Sequence, residues 1–296
     1  MKINNHLPHF LEGMKRWEKP PGLADFKDTY YRHIEKDCAS IFDQAEDLHS
    51  VLSDLNWKDY RSDCLKLDPA REEERIRKHL SSITGFFNLD LDGEIVLFSS
   101  FTCMDGYARF DQGTHRVFLG VDESHGRGRY LDVLQVHELT HVVRESRPEV
   151  WEGFGLNVKM SHDDFTENQP VIEHLMGEGF SCAISEILVP SDEIWHYAYQ
   201  EKDALKQIMK HSPSVDRVVH AELARGKDGD YGNLYNMSNY RPRLPGLTHY
   251  VWAWQWVKQV IADFGDGDPL KVVNRCSKDF IDHALEFKLS SLSGLR

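Results

Sequence analysis

Apolar residues recur every three or four positions along much of the chain, which is the spacing of an amphipathic helix. One such stripe runs from Phe26 to Leu52, and a charged helix follows from Asp68-Pro69. Proline directly after an Asp is typical of a helix start, because its fixed backbone angle suits the first turn. Residues 1 to about 90 are therefore predicted to form a helical region.

The pattern changes between residues 91 and 122, where short apolar runs replace the helical stripe. Three of these runs predict strands, at Glu94–Phe98, Tyr107–Phe110 and His115–Val121. The segments between them are too short to hold a helical crossover. The sequence therefore predicts a small antiparallel sheet.

Helical spacing returns after residue 130 and continues towards the C-terminus. Predicted helices cover Leu131–Glu145, Val171–Leu188 and Thr248–Phe264, and a last one begins at Asp268-Pro269. The expected fold class is α+β and mostly helical. Its parts are an N-terminal helical region (1–90), the sheet with the central helices (91–190) and a C-terminal helical subdomain (191–296).

Charge and cysteine content narrow the function classes. The 296 residues include 35 Lys and Arg against 48 Asp and Glu, a formal net charge of −13, so nucleic acid and anionic membranes are not expected partners. Five scattered cysteines without a CxxC pair argue against a disulfide framework. Because no long apolar run and no signal-peptide pattern is present, a cytoplasmic location is expected.

One motif carries candidate chemistry, the HExxH formed by residues 137–141. Residues i and i+4 lie on one face of a helix, so His137 and His141 can reach the same zinc ion. Glu138 lies about 100° around the helix, where its carboxylate can accept a proton from a zinc-activated water. The motif predicts two zinc ligands, a general base and one zinc per chain.

A catalytic zinc site needs a third protein ligand and keeps one position open to water. Glu178 is the candidate, because it lies on a later helix between Gly177 and Gly179. A glycine inside a helix costs about 1 kcal/mol, so two of them suggest a close approach to another backbone, such as that of the motif helix. His174, one turn earlier, is a rival ligand or a packing histidine. Glu186, two turns later, is a second rival, and it can instead orient a zinc-bound histidine or face solvent.

HExxH followed by a Glu on a later helix resembles the thermolysin-like gluzincin metallopeptidases. GEGFSCAISE, residues 177–186, is similar to the NEGFA-type motif of gluzincin aminopeptidases and to the EGxA motif of predicted zinc-dependent proteases. Gly177 here replaces the Asn and Ser181 the Ala. The resemblance covers about residues 94–265. It implies a zincin-like fold, Glu178 as the third zinc ligand, and an edge strand near Val117–Val121 that pairs with extended peptide.

Peptide hydrolysis also calls for a hydrogen-bond donor to the oxygen that becomes negative. In the predicted zinc proteases a Pro-rich turn precedes a helix that bears a Tyr, and Tyr250 matches that Tyr in RPRLPGLTHYVWAWQWV. His249, Tyr240 and Arg241 are alternative donors.

Tyr250 can instead be a packing aromatic beside Trp252, Trp254 and Trp256. These tryptophans cannot all share one helix face, so at least one is expected to line a groove.

The expected function is that of a zinc-dependent metallohydrolase, a peptidase acting on peptide or protein substrates. The expected architecture is a cleft with the N-terminal helices and sheet on one side, the C-terminal helices on the other, and zinc on its floor. The alternative is a zinc-binding regulatory or interaction protein without peptidase activity. The intact Glu138 argues against this alternative, since a binding module has no use for a general base.

Overall fold

A computed structural model describes residues 1–42, 44–122, 128–160, 162–240 and 242–290, without the side chains of residues 162, 163 and 166. The chain divides into two compact units, Met1–Leu139 and Thr140–Arg296. The described part is mostly helical and contains one small sheet, so the α+β prediction is confirmed. Among the described residues, no helix is both long and apolar enough to cross a bilayer.

The first unit contains a four-stranded sheet in the order β1-β2-β4-β3. Its strands are β1 (Lys2–Asn5), β2 (Glu94–Phe98), β3 (Gly106–Asp111) and β4 (Thr114–Gly120). β1 and β4 both run parallel to β2, and only β3 and β4 are antiparallel. The prediction of an antiparallel sheet is therefore wrong, since the sheet is mixed.

The mixed sheet arises because strands adjacent in sequence are not all neighbours in space. After β2 the chain reverses, and β3 forms the second strand from β2 in the sheet. A tight hairpin then leads into β4, which lies between β2 and β3. Gln112 and Gly113 form that hairpin turn with φ angles of 48° and 84°, the left-handed values that a two-residue hairpin favours. β1 was not predicted, because its polar sequence KINN carries no strand pattern.

Helices follow β1 and precede β2 in the chain. They are α1 (Leu7–Arg16), α2 (Leu23–Phe26), α3 (Arg32–Cys38), α4 (Ala45–Ser50), α5 (Trp57–Cys64) and α6 (Pro69–Phe87). The stripe from Phe26 to Leu52 is not one helix. A π-helical turn (Lys27–Tyr31) joins α2 to α3, and a capping box at Gln44 starts α4 afresh. The N-cap of α6 is Asp68, whose side chain accepts from two backbone amides.

Helix α7 (Arg129–Glu145) carries the HExxH motif and crosses the division between the units. The second unit continues with α8 (Pro148–Glu152), α9 (His162–Asn168), α10 (Val171–Leu188), α11 (Lys202–Lys210), α12 (Ser212–Ala224), α13 (Gly232–Tyr235), α14 (Thr248–Gly265) and α15 (Ile281–Glu286). Short 3₁₀ turns interrupt the helix predicted to begin at Asp268.

Helices α10 and α14 form the centre of the second unit and pack along each other. Trp252, Trp254 and Trp256 on α14 are all at most 1% exposed, so the expectation that one lines a groove is wrong. Other helices surround α14, and a helix packed on every side can bury every face. Each indole N–H has a partner, in order Asp216, Glu186 and His283.

Candidate metal centre

The structure brings His137, His141 and Glu178 together. One ligand atom from each lies within 4.8 Å of the other two, and this is the one such cluster among the residues searched. The two histidines share a face of α7 because they are one helical turn apart. His137 and Glu178 are buried, at 2% and 7% exposure. The three side chains are therefore close enough to hold a metal ion.

The donor set is of a kind that zinc accepts, and one of its three spacings matches a tetrahedral zinc site. Two imidazole nitrogens and a carboxylate oxygen are the ligands of many catalytic zinc sites, with bonds of about 2.0–2.2 Å. Tetrahedral bonds of that length separate two ligand atoms by about 3.3 Å. His141 Nε2 and Glu178 Oε2 are 3.4 Å apart.

The two glycines beside Glu178 differ in how closely another helix approaches them. A Cβ on Gly177 would lie 3.6 Å from the His141 ring, an ordinary contact with the motif helix. A Cβ on Gly179 would lie 2.3 Å from the carbonyl oxygen of Ala253, a clash with the backbone of α14. The close backbone approach expected from the sequence is therefore to α14.

Glu145 contacts His141 from one turn further along α7. Its Oε1 atom lies 3.3 Å from Nδ1 of His141, which leaves Nε2 facing Glu178. Burial by itself lowers the pKa of His141, but Glu178 and Glu145 outweigh it and raise that pKa well above its usual value. The two carboxylates therefore favour a positive charge on, or next to, the His141 imidazole.

His174 lies behind Glu178 and is not a member of the cluster. Its Nδ1 atom is 3.9 Å from Glu178 Oε1, and its Nε2 atom is 3.3 Å from Nε2 of His249. Burial lowers the pKa of His174 to about 4 and that of His249 well below its usual value, and each is lowered further by a histidine neighbour. Both rings are therefore neutral near pH 7, and His174 lies between Glu178 and His249.

Glu186, the other rival ligand, faces away from the cluster. It accepts hydrogen bonds from the Trp254 indole at 2.9 Å and from Lys258 at 2.9 Å. Its contacts belong to the packing of α10 against α14.

Tyr250 and His249 follow one another on α14 but have different surroundings. His249 is completely buried, whereas Tyr250 is half-buried. Burial first, and then the negative charge of Glu178, raise the pKa of Tyr250 well above its usual value. Tyr250 is thus a neutral phenol near the candidate ligand Glu178.

The remaining alternative donors do not join this group. Tyr240 is 38% exposed, and within the described ranges it makes no hydrogen bond or ring contact with Glu178 or Tyr250. Arg241 lies outside the described residues.

Glu138 lies against the first residue of strand β3. A Cβ on Gly106 would be 2.8 Å from Glu138 Cγ and 2.9 Å from its Oε1 atom. Any side chain at position 106 would displace the Glu138 carboxylate, so glycine is needed there. Strand β3 lies at one edge of the described sheet and β1 at the other, whereas the expected edge segment Val117–Val121 largely overlaps the interior strand β4.

A buried ion pair holds α7 and α10 together close to the candidate ligands. Arg144 donates to both carboxylate oxygens of Glu173, at 2.8 and 2.7 Å, and both side chains are at most 2% exposed. Arg144 also donates to the carbonyl oxygens of Val273 and Arg275. This arginine therefore joins the motif helix to two other segments of its unit.

Sequence reasoning overlooked several of these residues. Glu145 could have been found, because a Glu four positions after a histidine on a helix lies on the same face. The Arg144–Glu173 pair and the contact of Gly106 with Glu138 leave no signal in local spacing.

No protein-family model, curated protein or solved structure matches this chain.

Proposed function

We propose that this protein is a zinc-dependent hydrolase of peptide bonds with a zincin-like catalytic site. The observation that carries the proposal is the convergence of His137, His141 and Glu178, in a chain whose HExxH motif also supplies Glu138 beside His137. A bound zinc ion lowers the pKa of a coordinated water and polarises a carbonyl oxygen. Next to the candidate ligands, Glu138 provides a carboxylate that could transfer a proton.

Glu138 is the proposed general base. In this role it accepts a proton from the attacking water and later transfers it to the leaving amine. The side chain is only 7% exposed, and Gly106 leaves room for its carboxylate.

The proposed substrate is an extended peptide on the outer edge of β3. Asp105 accepts from the Gly120 amide at 2.7 Å, so by alternation Tyr107, Arg109 and Asp111 direct their backbone groups at β4.

The backbone groups of Gly106, Ala108 and Phe110 therefore point to the side of β3 where the described sheet ends. An added strand could bond to them. Its backbone would then pass Gly106, next to Glu138.

The proposed hydrogen-bond donor to the substrate oxyanion is Tyr250. Its phenol is neutral and half-buried beside Glu178, whereas His249 is fully buried against His174. A neutral donor stabilises the developing negative charge without adding a positive charge near a metal ion.

The test combines metal content with hydrolysis of a fluorogenic peptide library. Wild type should bind one zinc per chain and hydrolyse peptides, and Glu138→Gln should keep zinc while its kcat falls by about 10²–10⁴-fold. His137→Ala is the matched variant, because it should lose the zinc itself. Zinc binding without hydrolysis by wild type would favour the non-catalytic alternative, and wild-type kcat in Glu138→Gln would remove Glu138 from the mechanism.

A further inference from the structure

Three aromatic rings hold the ring of Tyr250 edge to face. Tyr199 lies 5.8 Å away with an interplanar angle of 85°, Tyr235 at 6.4 Å and 71°, and His249 at 4.8 Å and 70°. Such edge-to-face contacts restrain the ring of Tyr250 against rotation. They leave open the orientation of its hydroxyl hydrogen, which turns about the C–O bond.

The hydroxyl of Tyr235 lies where it can orient that hydrogen. The oxygen atoms of Tyr235 and Tyr250 are 3.3 Å apart, within hydrogen-bond distance. Each phenol has one hydrogen to donate and can also accept, so only one of the two donates in this contact. If Tyr250 donated to Tyr235, its hydrogen would be unavailable to a substrate.

The surroundings of Tyr235 anchor its ring. Tyr235 is the last residue of α13, and its ring contacts those of His249 at 4.6 Å and His174 at 5.6 Å. These two histidines are buried and linked to each other at 3.3 Å. One side of the Tyr235 ring therefore packs on the His174–His249 pair next to Glu178, while 39% of the residue remains exposed.

Building on the proposed function, we propose that Tyr235 is a positioning residue for Tyr250. The Tyr235 hydroxyl donates its hydrogen to the Tyr250 oxygen, which directs the Tyr250 hydrogen at the oxyanion of the substrate. Tyr235 itself touches no reacting atom and acts only through Tyr250.

A double-mutant cycle on kcat tests this inference. Wild type, Tyr235→Phe, Tyr250→Phe and the double variant are compared on one peptide, with zinc content and Tm measured for each. Tyr235→Phe should lower kcat by about 3- to 30-fold with KM within about twofold, since one neutral hydrogen bond is lost. Tyr250→Phe should lower kcat by about 10- to 10³-fold, and adding Tyr235→Phe should change it no further.

Tyr231→Phe is the matched comparison, because it removes a hydroxyl from the same segment and keeps the ring that stacks on His174 at 4.7 Å. It should lower kcat less than Tyr235→Phe does. An equal loss would assign the effect to the segment as a whole and overturn the inference.

The remaining outcomes separate this inference from the proposed function. Hydrolysis that requires Glu138 and Tyr250 but is unaffected by Tyr235→Phe overturns the inference alone, as do independent, multiplying effects of the two tyrosine variants. A zinc-loaded wild type that cleaves no peptide overturns the proposed function and the inference with it.

Discussion

At the residue scale, the buried polar contacts around His141 explain why one imidazole nitrogen faces the other candidate ligand, Glu178. Glu145 contacts Nδ1, and Nε2 faces Glu178. Carboxylates that orient a ligand histidine also increase its basicity and commonly contribute 10–100-fold to metal affinity.

Glu145→Gln is expected to weaken zinc binding by about 10–100-fold, because the amide keeps the shape of the side chain but loses its charge. Competition with a chromophoric chelator measures the affinity. Glu149→Gln, an exposed Glu on α8, is the control and should bind zinc as wild type does. Equal affinities for all three proteins would show that Glu145 does not orient His141.

His249 and Tyr250 are expected to fail in different ways when changed. His249→Ala removes a fully buried ring that packs on His174, so it should lower Tm. Tyr250→Phe removes one half-buried hydroxyl and should leave Tm close to that of wild type while kcat falls. The opposite assignment, with kcat lost and Tm kept in His249→Ala, would transfer the donor role to His249.

At the element scale, the position of α10 depends on close contact with α14 and on an ion pair with α7. Gly179 meets the backbone of Ala253, and Glu173 meets Arg144 at the first turns of α10. Glu178 lies between these two contacts along the helix. The contacts at Glu173 and Gly179 therefore fix the part of α10 that carries Glu178.

Gly179→Ala should destabilise the fold by about 1–3 kcal/mol or more, since the added methyl group meets backbone that cannot rotate away. Gly85→Ala in α6 is the control, because nothing lies within 4 Å of the Cβ it would add. Alanine there should stabilise by up to about 1 kcal/mol through helix propensity. Chemical denaturation gives both values, and equal shifts would contradict the close approach of α10 to α14.

Glu173→Gln should cost about 3–5 kcal/mol, because it leaves the Arg144 charge buried without its partner. Asp203→Asn breaks the exposed pair with Lys206 and should change stability by less than about 1 kcal/mol. An effect of Glu173→Gln as small as that of Asp203→Asn would contradict the burial of the Arg144 charge away from water.

At the scale of the whole molecule, binding of a metal ion should raise the Tm of the protein. The ligands come from separate helices, α7 and α10, so an ion that binds only the folded chain favours folding. The expected gain is about 4 kcal/mol when free zinc is 1,000 times its Kd. Chelation should lower the Tm of wild type, and His137→Ala should show no such zinc dependence. A wild-type Tm that does not change with zinc concentration would argue against the metal site.

Local spacing along the sequence determined the parts of this protein that depend on near neighbours. A helix brings residues i and i+4 to one face, so the pairing of His137 with His141 followed from the motif alone. Helix α10 begins and ends at the predicted residues, Val171 and Leu188, and β2 also has its predicted bounds. The predominance of helix followed from the same periodicity.

Only the tertiary structure decided which distant residues meet. Glu178, and not His174, joins the two histidines, because the direction of each side chain from α10 depends on how that helix packs. The same reason applies to β4, which lies inside the sheet although it follows β3 in sequence, and to Tyr235, whose hydroxyl reaches Tyr250 from another helix. Periodicity along one segment carries no information about the partner segment, so these contacts required the folded chain.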